Sequence, residues 1–179
     1  MSLALCLCLV MSYVPLMSLT ALGADVVVYI NENGNSTTYT GAYTEVTGEL
    51  TTWSDGWYVV KGDVTVAKRI TVSGTVNLIL ADGAQLTANE GICVNQGNTF
   101  IVYAQSEDKA TMGKLTSTGT DYNAGIGGNK GNDNGTVIIN GGIINNNVNA
   151  ITPHVFVYSR LQFVRPGTFN FFVSFIYYN

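Results

Sequence analysis

The chain has 179 residues, enough for one ordinary domain, with 11% charged residues and a formal charge of −4. Gly, Asn and Thr are abundant while apolar residues still make up 46%, so the composition excludes a disordered chain. The acidic balance excludes a nucleic-acid binder, which needs a basic face: twelve acids lie between Asp25 and Asp133 with six of the eight bases, a net of −6 over that segment.

The first 22 residues, MSLALCLCLVMSYVPLMSLTAL, carry no charge and are followed by small residues at Gly23 and Ala24. They read as a secretory signal over 1–24, with a transmembrane anchor as the alternative; Pro15 and the Ser and Thr residues favour the signal. A signal carries a basic residue ahead of its apolar run, and the first here is Lys61, so the expected start lies upstream of Met1. The Leu residues before Cys6 and Cys8 do not make a lipobox. Cleavage leaves Cys93 alone, so no intramolecular disulfide is expected, and Cys93 reads as a small buried apolar residue. After cleavage nothing is expected to hold the chain in a membrane.

Residues 25–52 open on an alternating strand and continue through Thr-rich, turn-rich chain, read as an N-terminal cap or lead-in. From 53 to about 150 short runs alternate with Gly, Asn and Asp: WYVV, DVTV, ITVS, VNLIL, AQLTA, GICV, TFIVYA, KLTS, TVIIN and IINN. Val, Ile and Thr dominate them, as β-propensity requires. The runs repeat: "GTVNLILADGAQLTA" from Gly74 can be laid on "GNTFIVYAQ…GKLTS" from Gly97, at an interval of 23, and on "GTVIINGGIINN" from Gly135. The second interval is longer and expects an insertion around Ser106 to Lys109. Such a period predicts an all-β, right-handed parallel β-helix, with a β-sandwich as the alternative. Asp82-Gly83 and Asn140-Gly141 are expected at equivalent corners, and Asn145-Asn146-Asn147 as a corner ladder. Residues 151–179 break the pattern: residues 154–179 hold six of the seven Phe, the single His and no acid. This aromatic tail reads as a frameshifted or truncated end without the repeat geometry.

The stretch "AGIGGNKGNDNGTVIINGG" (124–142) invites three chemical readings. A P-loop fails, because Lys130 has the wrong neighbours and no helix follows. A calcium nonapeptide fails on spacing, leaving Asp133 as a weak metal candidate. The remaining reading is a Gly-rich corner leading into a wall strand, and no cofactor or metal is expected.

Catalysis finds little support. His154 lies in the aromatic tail, so a triad has no dependable base and zinc has few ligands. Asp63, Asp82 and Glu90 could share a face over successive coils, yet acids at such turns are ordinarily solvated. The chain is therefore not expected to be an enzyme. Trp53, Asp55, Trp57 and Tyr58 in "TTWSDGWYVV" are the ligand-binding candidates, with Tyr122 behind them, because flat aromatics stack on sugar rings while Asp accepts from hydroxyls. The alternative is that Trp53 or Trp57 plugs the first coil. Thr65, Thr71, Thr87 and Thr116 are placed for an outward ladder.

"WSDGWYVVKGDVTVAKRITVSGTVNLILADGAQLTA", with "GICVNQGNTFIVYAQ", "YNAGIGG" and "GTVIINGG", resembles a segment of large surface proteins of gut anaerobic bacteria, over residues 53–147. The resemblance implies an extracellular, β-helical, carbohydrate-binding or adhesin-like module that binds a polysaccharide or a host or cell-surface glycan without catalysis. Relatives run through several more coils. A purely structural stalk coil, or the remnant of a β-helix polysaccharide lyase or hydrolase, is the alternative.

Overall fold

The computed structural model describes residues 26–121, 123–148 and 161–163. Within them the chain is all-β, with no helix. An antiparallel hairpin, β1 (Val27–Ile30) and β2 (Ser36–Tyr39), comes first. Fourteen short strands follow and pair in parallel into three sheets.

The front sheet contains β3 (Thr44–Glu45), β5 (Gly56–Val60), β8 (Thr75–Leu80), β11 (Thr99–Ala104), β14 (Thr136–Ile139) and β16 (Leu161–Phe163). A second sheet contains β6 (Asp63–Val66), β9 (Gln85–Ala88), β12 (Lys114–Gly119) and β15 (Ile143–Val148). The third contains β4 (Thr52–Trp53), β7 (Ile70–Val72), β10 (Ile92–Cys93) and β13 (Ile126–Gly127). From β5 to β15 the chain visits front, second and third sheet in that fixed order, three strands to a circuit.

Gly56, Val76, Phe100 and Val137 fall opposite one another on the front sheet, so successive circuits take 20, 24 and 37 residues. The equivalent of Gly74 is thus Asn98 rather than Gly97. The extra residue is absorbed in the turn 95–98, where Gly97 adopts a φ of 86°. Asn98 then serves the corner itself: its Oδ1 accepts from the Gly74 N–H at 2.8 Å. The expected insertion is present, since nine residues join β11 to β12 where four join β8 to β9.

Alternation along each strand aims one face inward. Tyr58, Val60, Leu78, Leu80, Phe100 and Val102 from the front sheet meet Val66, Leu86 and Leu115 from the second. Ile70, Val72, Ile92 and Val94 close the same core from the third side. Each strand is too short to bury much alone, and the shared core supplies what a single circuit lacks.

Asp82-Gly83 and Asn140-Gly141 lie at equivalent front-to-second corners, but one expected corner and one expected boundary lie elsewhere. Asn145, Asn146 and Asn147 belong to wall strand β15, opposite Thr116, Ser117 and Thr118, because parallel pairing continues through them. The chain enters the front sheet already at Thr44, ahead of residue 53, and Val46 is in the core. The hairpin β1–β2 packs on the outer face of the front sheet. In the aromatic tail, Leu161–Phe163 pairs in parallel with β14 in register, a wall position the sequence pattern did not indicate. The rest of 149–179, His154 included, and the signal segment 1–24 lie outside the described residues.

Candidate binding surface

Trp53 and Trp57 are four residues apart and take opposite roles. Trp53 ends β4 pointing inward with no exposed surface, its Nε1 donating to the Leu50 carbonyl at 3.0 Å. It stacks on Tyr58 at 5.2 Å and lies 6.0 Å from the Phe100 ring. Tyr58 is also inward and buried; its hydroxyl accepts from the Ser54 N–H and donates to the Ser54 carbonyl. These two rings begin the core, so neither offers a platform to a sugar. Asp55 is exposed, and its carboxylate accepts from the Thr75 N–H one circuit above. That contact holds a corner, and Gly74 is glycine there because it has φ 80° and a Cβ would run into the Asp55 carboxylate. Tyr122 lies outside the described residues.

Trp57 is one residue from Tyr58 and so points outward. There it meets the hairpin. Val27 and Tyr29 on β1 share a face with Thr37 and Tyr39 on β2, and the hairpin lays that face on the front sheet. Val27 packs with Val59, Ile79 and Tyr103, with Tyr29, Tyr43, Trp57 and Ile101 around them. Tyr39 is stacked on Trp57 with ring centroids 4.4 Å apart, and Tyr103 lies near-parallel to the same indole at 5.5 Å. Tyr29 meets Trp57 at 5.2 Å and Tyr103 edge-on at 5.0 Å. Trp57, Tyr29 and Tyr39 remain half-buried, so this aromatic strip still faces solvent in part.

A charged group frames the strip at one end. Lys61 Nζ lies 5.0 Å above the Tyr43 ring, donates to its hydroxyl at 2.8 Å and pairs with Glu45 at 3.5 Å. Glu32 sits in the hairpin turn between β1 and β2. Burial, then the Glu32 carboxylate, pushes the Tyr103 hydroxyl up to about 12. The same two causes raise Tyr29. Both phenols therefore stay neutral donors across the ordinary pH range. Tyr29, Tyr39 and Tyr103 were not singled out by the sequence, although Asn33-Gly34 between two alternating runs is a hairpin signal.

The Gly-rich stretch 124–142 divides into strand β13, a loop over 128–135 and strand β14. Several of its amides are occupied by the chain itself. Asn134 Oδ1 accepts from the Gly128 N–H, Asn95 Oδ1 from that of Asn129, and Asn123 Oδ1 from that of Lys130. Arg69, which the sequence reading passed over, donates Nε to Asn129 Oδ1 at 2.6 Å. Its other nitrogens reach the carbonyls of Glu90, Ala124 and Gly127. One half-buried guanidinium thus ties three circuits together. Asp133 is exposed, and its carbonyl accepts from the Gln96 N–H. Among the described residues no three His, Cys, Asp or Glu side chains converge as a metal group.

Asp63 begins β6, Asp82 lies in the turn between β8 and β9, and Glu90 lies between β9 and β10. Asp63 and Asp82 thus lie at the front-to-second corner of successive circuits, whereas Glu90 lies at the second-to-third corner. Thr65, Thr87 and Thr116 do form one outward row, continued by Asn145, whereas Thr71 belongs to the third sheet opposite Thr52. Comparison with protein-family models, curated proteins and solved structures finds no match.

Proposed function

We propose that the chain is a secreted, non-catalytic surface module, a right-handed parallel β-helix that binds glycan on the aromatic strip of Trp57, Tyr39 and Tyr29. The fixed order of sheets supports the helix, because parallel strands joined by crossovers wind almost always to the right. The uncharged segment 1–22 supports secretion. The observation that carries the binding reading is the half-exposed Trp57–Tyr39 stack, flanked by neutral phenols and by Lys61. Flat apolar rings beside hydrogen-bonding groups suit a sugar, whose faces are apolar and whose rim is polar. The exposed positions of Asp63, Asp82 and Glu90, ordinary for solvated turn acids, favour binding over hydrolysis.

A structural stalk coil is the second reading. The specific observation behind it is that the same rings anchor the hairpin on the front sheet. A glycan array probed with the mature chain separates the two. Binding that disappears in Tyr39→Ala, with the circular dichroism spectrum retained, supports the glycan reading; a blank array from the folded protein leaves the stalk.

A further inference from the structure

Asn-Gly occurs three times in the sequence, at Asn33-Gly34, Asn134-Gly135 and Asn140-Gly141. A glycine after asparagine carries no Cβ to shield its amide nitrogen or restrict its backbone, so that nitrogen can reach the asparagine side-chain carbonyl. The three pairs share this chemistry and differ in what holds them. Asn134 Oδ1 accepts from the Gly128 N–H at 2.6 Å, and the Gly135 N–H donates to the Val94 carbonyl at 2.7 Å. Gly135 is buried against the carbonyls of Asn95 and Asn98. Asn140 donates its N–H to the Val102 carbonyl at 2.8 Å, its Oδ1 is buried, and Gly141 packs on the Ala104 backbone. These two pairs flank β14, so freeing either unseats a rung of the front sheet.

Asn33 stands outside the stacked circuits, exposed in the turn that joins β1 to β2. That turn is closed by its own atoms. The Gly34 N–H donates to the Asn31 carbonyl at 2.8 Å, and Asn31 Oδ1 accepts from the N–H groups of Asn33 and Asn35 at 3.0 Å each. Water can replace exposed bonds of this kind, and a loop opens locally at far lower cost than a core strand.

We infer that Asn33 is a self-modification site, the Asn-Gly pair that the fold leaves open to spontaneous deamidation. Base removes the Gly34 amide proton and the nitrogen attacks Asn33 Cγ. The Cγ–Nδ2 bond breaks, ammonia leaves with a proton from water, and a cyclic imide remains. Water then opens the ring. Cleavage at Cγ gives an aspartate on the normal backbone; cleavage at the main-chain carbonyl gives an isoaspartate, whose backbone is one carbon longer. Either product adds a carboxylate next to Glu32, and the longer backbone no longer fits the turn that Gly34 completes at φ 73°. A two-stranded hairpin is marginal on its own, so the modification loosens β1 and β2 and with them the Tyr39 ring on Trp57.

The test ages the full mature chain in mildly alkaline buffer, folded and in concentrated urea, and quantifies aspartate and isoaspartate at the three positions by peptide mass spectrometry. In the folded chain Asn33 should convert at least about tenfold faster than Asn134 or Asn140, and in urea the ratio should fall close to one. Asn33→Gln, whose longer side chain closes the ring far more slowly, should show no such conversion. Hydrogen exchange at the amides of β1 and β2 should quicken on ageing in the wild type and not in Asn33→Gln. Conversion at Asn33 no faster than at the other two in the folded chain overturns the inference. So does a preference for Asn33 that persists unchanged in urea, since neighbouring sequence rather than the fold would then set it. Conversion at Asn33 with unchanged hydrogen exchange overturns the loosening of the hairpin.

Discussion

Replacing Trp53 with alanine removes a fully buried indole from the point where the core begins. Truncating a buried aromatic to alanine costs about 3–5 kcal/mol, from lost transfer energy and the cavity left behind. Two further losses push the value to the upper end. The stacked contact with Tyr58 disappears, worth roughly 0.5–1.5 kcal/mol, and the Leu50 carbonyl loses its indole donor. Against a typical total stability of about 5–15 kcal/mol, such a change is large, and for a chain of this size it lowers Tm by roughly 10 °C. Trp57→Ala removes a half-buried ring from the outer strip and should cost only about 1–2 kcal/mol, loosening the hairpin while the three sheets persist. The assay is urea unfolding of both variants followed by circular dichroism, with the wild type alongside. A Trp53→Ala variant that loses less than about 1 kcal/mol, or one less stable by no more than Trp57→Ala, refutes the assignment of Trp53 to the core and Trp57 to the surface.

Arg69→Met should destabilise by about 2–4 kcal/mol, because three carbonyls and Asn129 lose a charged donor; Arg69→Lys should rescue little, since an ammonium cannot reproduce the fork, and denaturant midpoints will show whether it does. Gly74→Ala should cost more than Gly83→Ala, as both have a left-handed φ but only the former drives a Cβ into a neighbouring side chain, Asp55; thermal melts of the pair measure the difference. Alkali should weaken the fold in a defined window. The Tyr103 hydroxyl is raised in the folded state, so its contribution is complete below the ordinary tyrosine value of about 10 and is lost as pH rises through about 12. Stability measured from pH 9 to 12 should therefore fall, and Tyr103→Phe should flatten the slope.

Much of the wall structure was legible in the sequence. Alternating Val, Ile and Thr between Gly, Asn and Asp marked β8, β9, β11 and β12 closely, because strand propensity and turn chemistry are local properties. The acidic balance is likewise a property of the chain alone. Tertiary structure decided what local pattern leaves open. Whether a ring plugs a core or faces outward depends on its parity within a strand and on what packs across from it; a register shift of one residue exchanges the two faces. Trp53 and Trp57 look alike in "TTWSDGWYVV", yet β4 turns one inward and β5 turns the other outward. The aromatic strip itself joins residues 29, 39, 57 and 103, brought together only when the hairpin lies across three successive rungs of the front sheet. Arg69 and Asn129, sixty residues apart, meet for the same reason: successive circuits stack parallel and in register, so distant positions become neighbours along the stacking direction.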